Sequence, residues 1–534
     1  MKLPFFSRDR WDIESVAPPW RDRPSIHQHI LSHIRAGEPG LGEEGDLLPD
    51  EKIQGENQIR WAPGALDGVL GHHIGDAETV ALANKLLASL RALTRRATDE
   101  RATSLYTLLV EEPVLGYVDH LLEAVVADDL DAERVHAIAY WLARGAADRE
   151  PVKFAIALLG ICRGGDDRDL LLTLGRHEEF TLFASVALKN SGDEAELSLW
   201  ALACLVTGWG RIHIIERLAE TQDEQIKAWM LHEGYQNDVM HEYTALVCAR
   251  TGDLVTPLRQ PGPDAKLLKG AGAILAALIQ GREGPSDGID AYLDGAEATE
   301  LYLTHLQARE LDLDDYMAVS TIESFLKEND GEVKDPGLGW PKRLTTLLDL
   351  AGAIRSRPGW ENKIREALDS EDSPTFWTAT AAARVLSLDV WDVYFERLKR
   401  GENLWYFVMQ TDDPQRVDRV VEFAEETFPL PEIASGPADA LGLGPKFEHH
   451  RALDFVLQEL RRFPGKGWPL IQAGLQSPTV RNRNTAAQAL ASWDRKTWPA
   501  NAESLLQQAI AAEPRDETRA LLVSVLEGES HETN

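Results

Sequence analysis

Three stretches of this chain repeat one pattern at a near-constant interval. They read KFAIALLGICRGGDD around Cys162, LSLWALACLVTGWG around Cys204 and EYTALVCARTGDL around Cys248. Each is an Ala- and Leu-rich helical run with a cysteine near its end. Each is then broken by glycine, at Gly164 and Gly165, at Gly208 and Gly210, and at Gly252. The cysteines lie 42 and 44 residues apart, the period of helical pairs that stack into a solenoid. Such a pair cannot bury its own apolar face, so it requires neighbours. The pattern constrains architecture strongly and function hardly at all.

Charge narrows the partners. The chain carries 87 acidic and 55 basic residues in 534, a formal net charge of −32. Most of this surface would repel a phosphate backbone or an anionic membrane, so neither nucleic acid nor membrane is expected as a partner. The field suits solubility, or the steering of a basic protein. Three cysteines do not make a disulfide framework. All three sit in apolar helical contexts, where a thiol packs as a small hydrophobe, so they are expected in the core and in a reducing cytoplasm. The opening MKLPFFSRDRW meets charge at Arg8, too early for a secretory signal. The apolar runs near Leu197–Val206 and Ala271–Ile279 fall well short of the roughly 18 residues that span a bilayer.

Residues 1–57 read as an irregular arm, with PPWRDRP and GEPGLGEEGDLLPDE as loop-like stretches. Residues 58–428 read as a helical array, 429–447 as a Pro/Gly-rich loop, 448–528 as C-terminal repeats with a cap, and 529–534 as a tail. Two further breaks fall at TPLRQPGPD (256–264) and EVKDPGLGWP (332–341). Val417, Val420, Val421, Ala424 and Phe428 follow helical spacing, as do Leu453, Val456, Leu457 and Leu460, and Ala486, Ala489, Leu490 and Trp493. These are core-facing stripes of amphipathic helices. Ser373-Pro374, Asp413-Pro414 and Ser477-Pro478 each place a capping side chain before a proline at the first helical position, where its missing N–H costs nothing. Strand alternation is almost absent.

GWPLIQAGLQSPTVRNRNTAAQALASW (467–493) resembles a HEAT repeat. A first helix ends in a Ser-Pro turn, and a second opens at Val480-Arg481 and runs through Ala487, Ala489 and Leu490. WPANAESLLQQAIAAEPRDETRALLVSVLEG (498–528) looks like a closing pair. RWAPGALDGVLGHH (60–73), REPVKFAIALLG (149–160), LLLTLGRHEEFTLFASVAL (170–188) and the run over 216–254 are similar to bacterial HEAT-like proteins often labelled limonene hydroxylase. The first resemblance implies protein binding. The second implies a monooxygenase acting on a small terpene.

The residues offer little to that chemistry. Cys162 with Arg163-Gly164-Gly165 faintly echoes a thiolate haem loop, yet its slot recurs at Cys204 and Cys248, as a repeat position does. Gly270-Ala271-Gly272-Ala273-Ile274-Leu275 lacks the third glycine of a dinucleotide fingerprint and reads as a close-packed helix. His177-Glu178, His232-Glu233 and His241-Glu242 each begin H-E-x-x-H, and none completes it. His232 and His241 flank a turn that would admit a metal only with help from elsewhere. The adjacent pairs His72-His73 and His449-His450 diverge by about 100° on a helix. Trp141, Trp200, Trp229, Trp391 and Trp493 fall in apolar stripes and are expected to pack between repeats, while any tryptophan left at the surface would anchor a partner.

The expectation is an all-α, right-handed solenoid of HEAT-like helical pairs. Its function is expected to be non-catalytic: an acidic, cytoplasmic scaffold that grips another protein, one version being an immunity or inhibitor protein for a basic partner. No catalytic, cofactor-binding or metal residue is assigned. The alternatives are the limonene hydroxylase-like oxygenase and a small-molecule-binding regulator.

Overall fold

The apolar stripes fold as the helices their spacing demands. Val417, Val420, Val421, Ala424 and Phe428 are all buried, as are Leu453, Val456, Leu457 and Leu460, and Ala486, Ala489, Leu490 and Trp493. The computed structural model describes residues 11–51, 63–64, 77–162, 167–190, 192, 194–284, 286–328 and 339–528. Among these residues the regular structure is all helix, and the one β pairing is an isolated parallel bridge between Ala440 and Thr479. No described helix is long and apolar enough to cross a membrane. The His72-His73 pair, Arg163-Gly164-Gly165, most of the 332–341 break and the tail 529–534 lie outside the described residues.

Several helix starts are set by short acidic side chains that accept orphan backbone N–H groups. Asp131 accepts from Arg134 N, Asp264 from Leu267 N, and Asp413 from Gln415 N. Two of the three expected Ser/Asp-Pro caps need correction. At Ser373-Pro374 the cap is one residue earlier, Asp372, which accepts from Thr375 N. At Ser477-Pro478 the helix starts later, at Val480, and Ser477 Oγ instead accepts from Thr479 N in the turn.

The described residues divide into two compact units, the first ending at Trp360 and the second starting at Glu361. The first unit holds helices at Ala77–Arg95, Asp99–Glu111, Val118–Ala127, Ala132–Gly145, Arg149–Leu159, Arg168–Gly175, Glu178–Lys189, Ala195–Ala203 and Trp209–Arg217. It continues through Glu224–Trp229, Glu242–Thr251, Ala265–Gln280, Gly295–Leu306, Leu313–Glu328 and Trp340–Arg355. Alternate helices stack: Arg149–Leu159 on Glu178–Lys189, that on Trp209–Arg217, and so on through Glu242–Thr251 and Ala265–Gln280 to Leu313–Glu328. Each also packs against a sequence neighbour, so every apolar face is covered by two partners.

The N-terminal stretch, read as an irregular arm, is in fact part of this packing. It contains the helix Ile26–His33, whose Ile26 and Ile30 are fully buried. Trp20 stacks on Trp141 and Tyr106 at 4.4 and 5.2 Å, against Gly145, where a Cβ would strike the indole. Arg23 clasps Asp148 through both terminal nitrogens at 2.7 and 2.6 Å, and Ile26 N donates to Ala146 O. Its apolar residues are interleaved with prolines and charges, so no periodicity announced them.

The same stretch ends in a buried ionic network. Arg149 pairs with Asp50 and Glu51, while Lys153, only 3% exposed, donates to Glu179 at 2.7 Å. Burial alone would raise the Glu179 carboxyl, but Lys153, Arg149 and the N–H of Gly64 hold it down to about 2. A folded-state value below the unfolded one adds stability that is present above pH 4.5 and is lost as pH falls toward 2. Glu179→Gln should therefore cost on the order of 3 kcal/mol at neutral pH and almost nothing near pH 2, provided the wild type remains folded there. Thermal melts of both proteins across that range check this.

The second unit holds Ser373–Val385, Trp391–Lys399, Trp405–Met409, Pro414–Thr427, Glu448–Leu460, Trp468–Leu475, Val480–Ala491, Ala502–Ala512 and Asp516–Glu527. Here too alternate helices stack, with Glu448–Leu460 on Val480–Ala491 and that on Asp516–Glu527. The Pro/Gly-rich stretch 429–446 runs within this unit. Gly436 N donates to Gln476 O, and the Ala440 backbone pairs with Pro478 and Val480.

Candidate functional site

Chemistry-bearing residues that the sequence singles out are mostly absorbed by packing. His177 caps the helix Glu178–Lys189, its Nδ1 accepting from Glu179 N, and burial lowers its pKa to about 4. Glu178 accepts N–H groups from Thr207, Gly208 and Gly210, and so caps the turn into the next repeat. The glycines that break the second cysteine run thus fold around a carboxylate. His232 lies in a single π turn, Met230–Gly234, and His241 meets Tyr235 edge-on at 5.7 Å. His450 is buried against Ser477 and Asn482, while His449 approaches Phe428. Among the described residues no group of three His, Cys, Asp or Glu side chains is placed to hold a metal ion. Gly270 and Gly272 lie inside the buried helix Ala265–Gln280, as the close-packed reading expects.

The cysteines correct one expectation. Cys248 is fully buried, but Cys162 is half-buried and Cys204 is exposed. Cys204 caps the C-terminus of Ala195–Ala203, and this terminal position turns its thiol off the apolar stripe. Burial pushes the Cys162 thiol up to about 11 and the Cys248 thiol higher still. We expect a maleimide to label Cys204 within minutes, Cys162 slowly and Cys248 only on unfolding. Mass spectrometry of the labelled peptides reads the order directly, and early modification of Cys248 would contradict it.

One surface is not absorbed. Among the described phenylalanine, tyrosine and tryptophan side chains, only Trp377 and Tyr406 are exposed, each to 42%. Both rings lie against Phe407, at 5.1 and 5.3 Å. Tyr406 and Phe407 line a cleft of about 370 Å³ in the second unit, together with Arg384, Leu388, Asp389, Val390, Trp391, Tyr394, Gln410 and Arg416, and Trp377 adjoins it through Phe407. Phe376, one residue before Trp377, points inward with Ala379 and Ala383. Adjacent residues on a helix diverge by about 100°, so Trp377 falls off the buried stripe. That offset was visible in SPTFWTATAAARV, and the reading of packed tryptophans passed over it.

The cleft is rigidly floored. Trp391 is buried and donates its indole N–H to Val408 O at 2.8 Å. Arg416 lies over the Trp391 ring and pairs with Asp389 at 2.6 Å, and that bond holds the Asp389 carboxyl below its usual range. Burial raises the Tyr394 phenol. Such a wall can stack on an apolar or planar group and offers guanidinium donors beside it.

No protein-family model matches the chain, and no curated protein does. One solved structure, an engineered protein from the Northeast Structural Genomics Consortium, aligns over 85% of this chain and 98% of its own. Its identity is 16% and its TM-score 0.22, too low to establish a shared fold. Neither family resemblance read from the sequence therefore gains a relative.

Proposed function

We propose that the protein is a non-catalytic scaffold that binds another protein through the aromatic cleft of its second unit. The observation that supports this is the exposure of Trp377 and Tyr406 together, in a chain that buries its other described aromatic rings wholly or in part. Tryptophan and tyrosine dominate binding hot spots because they bury large rigid area at small entropic cost. The framework we infer is a right-handed solenoid of HEAT-like pairs, in keeping with the stacking of alternate helices. Three unpaired thiols suit a reducing cytoplasm.

The test is capture from the native host by the wild type and by a Trp377→Ala/Tyr406→Ala variant with unchanged melting temperature. A specific partner should be captured by the first and lost by the second, with affinity reduced by about thirtyfold or more. Equal capture by both would remove the cleft from the reading.

A second reading rests on the net charge of −32. Such a field would steer a basic partner, as an immunity or inhibitor protein requires. Raising salt from about 50 to 500 mM should then slow association by at least about tenfold and change dissociation less. A salt-independent association rate would set this version aside.

A further inference from the structure

The lining of the cleft holds one cationic side chain with no acidic partner among the described residues, in a strongly acidic chain. Two arginines, Arg384 and Arg416, face one aspartate, Asp389, in a protein of net charge −32. Arg416 is already engaged by Asp389 and, at 3.9 Å, by Asp413. Arg384 is exposed and makes no ion pair among the described residues. Charges farther apart than about 8 Å are largely screened at physiological salt, so at contact distance the lining decides, not the distant field.

Spacing then defines the ligand. Trp377 and Arg384 are seven residues apart on the helix Ser373–Val385 and therefore share a face, separated by about 10 Å along the axis. An extended peptide advances about 3.3 Å per residue, so three residues span the same distance. Gln410, also exposed in the lining, supplies an amide donor and acceptor for a peptide backbone. We propose that this cleft docks an extended protein segment in which an apolar ring or proline on Trp377 is followed, three residues away, by a carboxylate on Arg384. This deepens the scaffold reading and rests on it.

The test uses the full chain and three labelled peptides that share the core Trp-Pro-Ser and end it with Glu, Gln or Lys, read by fluorescence anisotropy. The wild type should bind the Glu peptide at least about tenfold more tightly than the Lys peptide, with Gln between. Arg384→Glu, a surface change expected to leave melting unaltered, should reverse the order. Trp377→Ala should weaken all three. The proposal is overturned if the wild type prefers Lys, if Arg384→Glu leaves the order unchanged, or if no peptide saturates at about 1 mM. Should Trp377→Ala still weaken every peptide while Arg384→Glu changes nothing, the carboxylate specificity fails and the aromatic docking surface stands.

Discussion

Replacing Gly270 with valine should prevent the first unit from folding cooperatively, and even Gly270→Ala should cost more than about 3 kcal/mol. The helix Ala265–Gln280 runs so close to the π turn Met230–Gly234 that a Cβ on Gly270 would collide with the carbonyl oxygen of Leu231. The obstruction is backbone, not the free end of a side chain, so one of the two helices must move. Two residues on, a Cβ at Gly272 would meet a side chain instead, the buried hydroxyl of Tyr302. Gly352 supplies the contrast. It lies in the helix Trp340–Arg355 with nothing within 4 Å of its would-be Cβ, so Gly352→Ala should stabilise by about 0.5–1 kcal/mol through helix propensity alone. Circular dichroism melts of the three variants test both signs. A Gly270→Ala protein that melts with the wild type would show that the two helices do not approach this closely.

Glu513→Ala should destabilise the second unit by about 3–5 kcal/mol. Arg483 and Glu513 form a pair with no exposed side-chain surface, joined by two bonds of 2.6 and 2.8 Å. A third guanidinium bond goes to Ser477 O, and Glu513 also accepts from Arg515 N. Removing the carboxylate strands a guanidinium in the core, where it can neither lose its proton nor reach water. Replacing both partners, as Arg483→Met with Glu513→Leu, should recover much of the loss because the desolvation cost disappears with the charges. Urea unfolding followed by tryptophan fluorescence separates the cases. A single variant as stable as the wild type would mean that water reaches the pair.

What the sequence revealed follows from which forces leave a local trace. Helix and stripe are local, so Val417 to Phe428 and Leu453 to Leu460 could be read at once. The Gly270 run was readable because a helix pattern surrounds it. The Arg483–Glu513 pair was not, since thirty residues separate partners that look like ordinary surface charges. The exposed thiol of Cys204 was misread because a repeated slot in sequence does not guarantee a repeated rotation about the helix axis. The cleft fell between these cases: Trp377 and Arg384 share one helix and so carried a local sign, whereas Tyr406 joins them only through the turn of the chain.

The N-terminal stretch has a consequence for the order in which the protein is made. Trp20, Arg23 and Ile26 complete their contacts on Trp141, Asp148 and Ala146, and Gly40 N donates to Leu205 O. A ribosome adding about 5–20 residues per second therefore leaves this stretch unhoused for roughly 6–25 s after it emerges. During that interval its tryptophan and isoleucines are open to whatever holds nascent chains. The stretch is thus made before the helices it docks on, and local assembly of those helices precedes the closure that locks it in place.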